Sequence, residues 1–485
     1  MSAAIDSSGA GLDAAAREIP DQNDLVIMPL VKWHFLAAFT FLLVAMLAGL
    51  MFSLQFLQKY PFPGVEFFSP GRWRFVHTNG VAYGFIANLF LGMLHWAVPR
   101  LTLNRVLSRK LSWFIFFAWQ AILLASVVGF ISGEAQALEW GETPVWIDPV
   151  ALLALILVAV NFLPPIMRTT GPLYVSSWYF ISAFVWTILV YAMGNFLPEY
   201  SMNGVAAGAI GGLFIHDLVG LFVTPLGWGM MYYFVPIILR KPIWSHGLSL
   251  IGFWGLAFFY PLNGIHHFLY SPIPMFLQYG AIISTIAVEL VVTTVVVNFF
   301  MTLRGSGDML RTNIPIRWFY TGMVFYFTTC LQCAFQTTLT FQRIIHFSDW
   351  VVGHAHLVMF GVFGFWMLGL LVHLLPRVCN RTAWYSKSLN EWHYWITMIS
   401  MLVMFLDLTI AGLVQGYMWR DLAAWEETIR ASTPFWLVRT ISGSAMIFAQ
   451  FIFAYNVVMT LAGKRAREPQ TDAAPATTTD GLATA

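Results

Sequence analysis

Long apolar runs recur along the whole chain and are separated by short polar stretches. Each run has about 20 or more residues, the length that an α-helix needs to cross the hydrocarbon core of a bilayer. The pattern therefore predicts an all-α, polytopic membrane protein with twelve transmembrane helices. The predicted spans are residues 31–57, 75–99, 111–132, 148–167, 174–197, 206–239, 247–270, 275–303, 316–341, 351–376, 390–416 and 434–462.

The two ends of the chain differ from this apolar core. Residues 1–24 are small, polar and acidic, without an evident cleavable signal peptide, and the last residues are rich in Ala, Thr and Asp. We expect a flexible cytoplasmic N-terminus over residues 1–30, a twelve-helix domain over 31–462 and a disordered cytoplasmic tail over 463–485. The sequence shows no soluble domain and no internal repeat.

Composition and charge narrow the class of protein further. Hydrophobic residues make up 59% of the 485 residues and charged residues 10%, so the expected surrounding is membrane lipid. A net charge of +2 gives no reason to expect a nucleic-acid partner. The loops after even-numbered spans, together with the tail, hold 16 of the 25 basic residues. Because basic loops stay in the cytoplasm, both termini are expected there.

Two histidines, His354 and His356, begin the tenth apolar run. In a helix, positions two residues apart point about 200° away from each other, so the two rings leave opposite sides. They cannot easily share one metal, but each can bind a different one. An intramembrane histidine is costly and is a functional hypothesis by default, although two histidines packed against neighbours remain an alternative.

Six histidines fall in the outer half of the predicted bundle, on four different helices. They are His77, His216, His266, His267, His354 and His356. Imidazoles gathered at one depth without matching carboxylates suggest metals. The adjacent pair at 266 and 267, with His216 as third ligand, would suit copper, iron or zinc. The other three fit one haem with two axial imidazoles and one haem with a single imidazole.

The remaining histidines have less specific interpretations. His34, His95, His373 and His393 lie near the cytoplasmic ends of predicted helices, and we expect them to be interfacial. Cys330 and Cys333 form a CxxC pair, but Ala334 follows, so the chain lacks a CxxCH motif for covalent haem attachment. Both thiols are expected to be packed in an apolar helix.

At this point the chain resembles a known family, the catalytic subunit of the haem–copper oxygen reductases, specifically the cbb3-type (C-family) cytochrome c oxidase. The resemblance covers about residues 30 to 460, and its spaced motifs are specific as a set. The matching segments are 71–79, 138–140, 216–220, 229–236, Tyr260 with 266–267, 349–356, 415–420 and 438–439. The resemblance implies the haem–copper oxidase fold.

The resemblance also implies a role for each of the six histidines. His77 and His356 would bind the low-spin haem b, and His354 the high-spin haem b3. His216, His266 and His267 would bind copper. The family carries a catalytic tyrosine linked covalently to the helix-6 histidine, and Tyr260 stands there. Commoner oxidases place that tyrosine at the position of Gly220.

The implied reaction is the four-electron reduction of dioxygen to water in a bacterial inner membrane, coupled to proton translocation. Electrons would come from cytochrome c through c-type cytochrome subunits of the same complex, since this chain has no covalent haem. Tyr233 and Ser249 match the family's proton path. Arg72, Arg74 and Arg439 would contact haem propionates, and Glu139 resembles a carboxylate near a calcium site; an exposed loop glutamate is the alternative.

Three positions depart from the family pattern. Gln332 stands in place of a glutamate, Gly252 in place of a histidine and Asp217 in place of an asparagine, which puts proton delivery in question. The main rival is nitric oxide reduction by a related enzyme. Tyr260 and the absence of an intramembrane glutamate near His216 favour oxygen. A cofactor-free twelve-helix transporter would be colourless, and a catalytically silent haem subunit would not bind carbon monoxide.

Overall fold

The computed structural model describes residues 23–464, and within that range it is a bundle of long helices without strands. The flexible and disordered segments predicted for residues 1–22 and 465–485 lie outside the described part. Twelve long helices follow one another in the described chain. They are α1 (Met28–Leu57), α2 (Pro70–Thr102), α3 (Arg109–Ser132), α4 (Val145–Met167), α5 (Val175–Tyr200), α6 (Gly204–Leu239), α7 (His246–Phe268), α8 (Met275–Leu303), α9 (Ile314–Gln336), α10 (Asp349–Val378), α11 (Lys387–Arg420) and α12 (Trp425–Leu461).

Eleven of these helices are long and apolar enough to cross a membrane, and α9 is the exception among the described residues. Its 23 residues include Arg317, three threonines and two glutamines, which lower its hydropathy. It nevertheless packs between α8 and α10 in the place of a twelfth span. The prediction of twelve helices is therefore consistent with the architecture.

The helix bounds differ from the predicted ones where polar residues begin or end a helix. The first helix already begins at Met28, and Leu25 and Val26 before it are buried. Helix α12 begins at Trp425 rather than near 434, because its polar first turns lie outside the apolar run. Helix α9 ends at Gln336, and a short helix, Leu339–Ile345, follows it.

Consecutive helices pack against each other, and α12 also packs against α1, so the bundle closes on itself. Short connections between long helices make neighbours antiparallel. We call the end where the even-numbered helices finish the basic end, after the arginines and lysines of its connections, and the opposite end the histidine end. Among the eleven helices that are apolar enough to cross a membrane, α2 and α10 are the most enclosed, with 89% of their most apolar stretch buried, against 33–50% for the other nine.

A buried asparagine holds the start of a helix at three places on the basic end, and we call this arrangement the asparagine clamp. Three serines cap α3, α7 and α11, each accepting a hydrogen bond from a backbone N–H three residues later. They are Ser108, Ser245 and Ser386. The N–H of each serine donates to a fully buried asparagine of the following helix. These are Asn161, Asn298 and Asn456, at 3.1, 2.9 and 3.0 Å.

The asparagine clamp shows that a four-helix unit occurs three times, as α1–α4, α5–α8 and α9–α12. The expectation that the chain lacks an internal repeat is therefore wrong at the level of structure. A sequence signal exists, since each capping serine is followed by leucine three positions later, at Leu111, Leu248 and Leu389. The signal is too short to stand out among the apolar runs.

Candidate metal centre

Three histidines converge at the histidine end of α6 and α7. His216 lies on α6, and His266 and His267 lie in the 3₁₀ turn Gly264–Phe268 that ends α7. One ring nitrogen from each lies within 4.8 Å of the others, and Nδ1 of His216 lies 3.1 Å from Nε2 of His267. Among the described residues this is the one group of three or more such side chains. Three converging imidazoles suit copper, iron or zinc.

Close contact between two backbones brings this three-histidine cluster together. A Cβ on Gly264 would lie 2.4 Å from the carbonyl oxygen of Gly212, so only glycine allows α7 to approach α6 so closely. The orientation of one ring is also fixed from α8, where the Thr285 hydroxyl lies 2.8 Å from Nδ1 of His266. A partner on one ring nitrogen leaves the other free for a metal.

Tyr260 lies directly against the three-histidine cluster. Its ring stacks on that of His216 with centroids 4.7 Å apart and planes 10° from parallel. The tyrosine is 9% exposed, and it precedes the cluster in the same distorted end of α7. The structure thus brings together the residues for which the resemblance implies a copper site with an adjacent tyrosine.

His354 lies on α10 and faces the three-histidine cluster. It is close enough to His267 to interact electrostatically, and its own Nδ1 lies 3.1 Å from Oε1 of Gln332 on α9. With Nδ1 carrying the proton, Nε2 is the nitrogen that can bind iron. The Cys333 thiol lies 3.5 Å from this Nε2, so it borders whatever group His354 binds.

His356 faces the other side of α10 and meets His77 of α2. Their ring centroids lie 6.1 Å apart with planes at 27°. Two imidazoles on opposite faces of one iron place their centroids about 6 Å apart, given metal–nitrogen bonds of about 2 Å. Each Nδ1 lies 2.8 Å from a backbone carbonyl, that of Ala45 or Val352. Both Nε2 atoms are left to bind iron, so this paired-histidine site fits a six-coordinate haem.

A wide turn of π-helix directly follows the histidines on α2, α6 and α10. The segments are Gly80–Ala87, Leu218–Val223 and Leu357–Gly364. They begin three residues after His77, two after His216 and one after His356. Such turns add a residue to the helix and often occur at functional sites. Each of these three helices is the second helix of its four-helix unit.

Of the arginines predicted to contact propionates, Arg439 fits best. It is 7% exposed, with Nε and Nη2 buried and without partners, and its Nη1 lies 3.9 Å from Asp349. Unpaired buried donors of this kind need an anion. Arg72 is already paired with Glu66 and with a backbone carbonyl. Arg74 is half exposed and lies 3.6 Å from Glu139.

Glu139 does not fit a calcium site by itself. Calcium takes six to eight oxygen ligands, whereas the carboxylate of Glu139 is half exposed and faces Arg74. The buried carboxyl of the same loop is Glu142, which the sequence analysis missed because nothing in the sequence distinguishes two loop glutamates. Glu142 is 2% exposed, Asn79 donates to its Oε2 at 2.9 Å, and burial raises its pKa to about 7.

The two residues predicted for a proton path lie toward the basic end. Ser249 is fully buried, and its hydroxyl donates to the carbonyl of His246 at 2.7 Å. Tyr233 is 8% exposed and lies near Arg100. No chain of hydrogen bonds within residues 23–464 joins either one to Tyr260. Ser249 follows the capping Ser245 by four residues, as Ser112 follows Ser108, so its position also belongs to the repeated unit.

Three of the histidines expected to be interfacial are instead fully enclosed. His34, His95 and His393 are 0–1% exposed, so that prediction is wrong for them. His34 and His95 stack at 5.5 Å, and His34 also contacts the buried Asn88. His393 lies 3.0 Å from Gln450. Hydropathy alone could not show that these histidines are buried. It shows how far along a span a residue lies, but not whether its side of the helix faces the bundle.

Comparison with known proteins places these features in context. A family model described as cytochrome C and quinol oxidase polypeptide I matches residues 29–445. The chain is 27% identical to a cytochrome c oxidase subunit 1 homolog of Agrobacterium tumefaciens, covering 90% of this chain and 84% of the relative. It is 28% identical to the cbb3-type cytochrome c oxidase subunit CcoN1 of Stutzerimonas stutzeri, covering 88% and 93%.

Solved structures agree with the sequence comparisons. The fold matches a heme-copper terminal oxidase dimer with a TM-score of 0.77 over 91% of this chain and 85% of that one, at 13% sequence identity. A likeness at this identity shows the fold, which is that of the haem–copper oxidases.

Proposed function

Since the chain belongs to the family of cytochrome c and quinol oxidase polypeptide I, we propose that it is the catalytic subunit of a terminal respiratory oxidase of the cbb3 type. The proposed reaction is the reduction of dioxygen to water with electrons from cytochrome c. The observation that supports it most is the stacking of Tyr260 on His216 within the three-histidine cluster. A site made of three histidines alone would bind a metal, but it would have no phenol next to the metal.

The six histidines divide into three binding sites in this proposal. His216, His266 and His267 hold copper, His354 holds haem b3, and the paired-histidine site holds low-spin haem b. When bound, the haems and copper carry the electrons and activate dioxygen. The chain sets their positions through the contacts of Thr285 with His266 and of Gln332 with His354.

The remaining groups of the site act on protons, charge and water. The Tyr260 hydroxyl is the proton donor of the reaction, and its ring is held in place by His216 on one face. Burial of Tyr260 and of the helices around it excludes bulk water, which strengthens each electrostatic contact inside. Arg439 supplies the positive charge that a propionate needs.

The proposal also covers the surroundings of the subunit. The basic end faces the cytoplasm of a bacterial cell, and the histidine end faces outward across the inner membrane. Electrons enter through c-type cytochrome subunits of the same complex, and the reaction is coupled to proton translocation. Tyr233 and Ser249 lie on the side from which protons would come. Calcium is left out, because the surroundings of Glu139 do not fit it.

The test is a reduced-minus-oxidised absorption spectrum of the purified complex, together with iron and copper analysis and assays with dioxygen and nitric oxide. We expect two b-type haems, one copper per chain, carbon monoxide binding at one haem, and oxygen consumption. A second iron in place of copper, with turnover on nitric oxide, would identify a nitric oxide reductase instead. A colourless protein would end the proposal.

A further inference from the structure

A carboxyl group lies at the middle of α8, within the bilayer part of the bundle. Glu289 is the fifteenth of the 29 residues of that helix, and it is partly buried. A charged side chain at such depth is costly, so a carboxyl group here indicates a functional role. Glu289 was not among the residues that the sequence predicted for the site.

Glu289 lies one helical turn from a residue that touches the three-histidine cluster. Thr285, whose hydroxyl lies 2.8 Å from Nδ1 of His266, precedes it by four positions and therefore shares its face of α8. Four residues advance a helix by about 6 Å, so Glu289 lies about that far toward the basic end.

The neighbouring helix α9 repeats this arrangement with thiols. Cys333 lies 3.5 Å from Nε2 of His354, and Cys330 precedes it by three positions on the same face. Because α9 runs from the basic end to the histidine end, Cys330 lies one turn below the histidines, at the level of Glu289. The two side chains face each other there and are close enough to interact electrostatically.

The groups around this carboxyl–thiol pair lead from the basic end to Tyr260. Tyr326 lies one turn further from the histidines on α9, on the face of Cys330. Both Glu289 and Cys330 are close enough to Tyr260 and to Tyr326 to interact with them electrostatically. The titratable groups that face Glu289 are thus two thiols and two phenols, and none of them is a cation that would neutralise a permanent carboxylate.

We propose that Glu289 is the last carboxyl donor of protons to the site, acting through the Cys330 thiol, an inference that rests on the proposed function. The carboxyl O–H bond breaks as its proton passes to the sulfur, and the thiol proton moves on toward Tyr260 and the oxygen being reduced. The carboxylate regains a proton from the basic end past Tyr326. Each dioxygen takes four protons and four electrons, the electrons coming from cytochrome c.

The test compares Glu289→Gln and Glu289→Asp with wild type in the complete complex. We expect Glu289→Gln to slow oxygen consumption at least about tenfold with haem and copper content unchanged, and Glu289→Asp to recover part of the rate. Cys330→Ser, which keeps an exchangeable proton, should lose less than Cys330→Ala. Thr293→Val, one turn away on α8, is the matched control and should behave as wild type.

Infrared spectroscopy gives a readout that does not depend on turnover. The reduced-minus-oxidised difference spectrum should contain a carboxylic C=O band that shifts in D₂O and is absent from Glu289→Gln. A wild-type rate in Glu289→Gln, or the same band in both proteins, would overturn this inference alone. Loss of metals with the rate would make the residue structural. A wild-type complex without haem or oxygen consumption would overturn the proposed function, and this inference with it.

Discussion

The ring of Tyr260 occupies the space in which a side chain on Gly220 would begin. A Cβ built on Gly220 would lie 1.6 Å from Cε1 of the tyrosine, far inside any permitted contact. Helix α6 can therefore carry a side chain at 220, or α7 can place this ring against His216, but both cannot occur together. The glycine is thus part of the site, although it offers no functional group.

Replacing that glycine should displace the tyrosine. We expect Gly220→Ala to lower oxygen consumption at least tenfold and to cost about 1–3 kcal/mol of stability, because the extra methyl group overpacks a closed contact. Gly208→Ala on the same helix is the control, since a Cβ there would meet nothing within 4 Å. Equal activity of the two variants would show that the ring moves aside without consequence.

The phenol itself can be removed without disturbing the packing. Tyr260→Phe keeps the ring that stacks on His216 and loses only the hydroxyl, so haem and copper should stay bound while oxygen consumption falls to background. Metal analysis and an oxygen electrode measure the two quantities on one sample. Normal consumption by this variant would exclude the tyrosine from the reaction.

The two histidines of α10 should be separable by spectroscopy. His354→Ala should lose the haem that binds carbon monoxide and keep the low-spin spectrum, because the paired-histidine site lies on the opposite side of the helix. His356→Ala should lose the low-spin spectrum. A folded protein in which His354→Ala removes both haems, or neither, would contradict the assignment of the two sides.

Arg439 should raise the reduction potential of the low-spin haem, since a buried positive charge favours the electron-rich state. We expect Arg439→Gln to lower that potential by about 60 mV, which is a tenfold change in a one-electron equilibrium. Arg430→Gln, at an exposed position of α12, should leave the potential unchanged. A redox titration followed by absorbance measures both.

Glu142 should make the stability of the protein depend on pH. Burial raises its pKa from 4.5 to about 7, so the folded protein favours the protonated carboxyl. That stabilisation is complete below pH 4.5 and is lost as the pH rises through 7. The loss amounts to about 3 kcal/mol at 1.36 kcal/mol per unit of pKa.

The isosteric variant Glu142→Gln tests this dependence. It should match wild type at pH 5 and unfold at a higher temperature than wild type at pH 8, because the amide does not ionise. Glu134→Gln, at an exposed carboxyl of the same loop, controls for the change of net charge. Parallel thermal unfolding curves at the two pH values would show that Glu142 does not titrate in this range.

The sequence predicted the spans because a bilayer of fixed thickness demands apolar runs of a fixed length. The sequence also predicted that six histidines lie at one depth, since depth along a helix follows from counting residues. It could not show which sides face each other, so the enclosure of His34 and the contact between Cys333 and His354 were missed. Glu289 was missed because a single carboxyl barely changes the mean hydropathy of α8.

The wide turns of α2, α6 and α10 were beyond sequence reasoning for a related reason. A constant 100° per residue holds within an ordinary helix, but a π-helical segment breaks the count. Side chains beyond Gly80, Leu218 and Leu357 therefore do not follow the phase set by the histidines before them. Only coordinates show where the phase changes.

The asparagine clamp gives the described bundle an approximate threefold repeat, because three four-helix units are held in the same way. Histidine sites lie between α2 and α10 and between α6 and α10. Between α2 and α6 the bundle has a cavity of about 60 Å³ instead, lined by side chains such as Phe41, Trp119 and Phe222, with no histidine in its lining. Histidines introduced into this cavity, with the two histidine sites as the template, could bind a third cofactor.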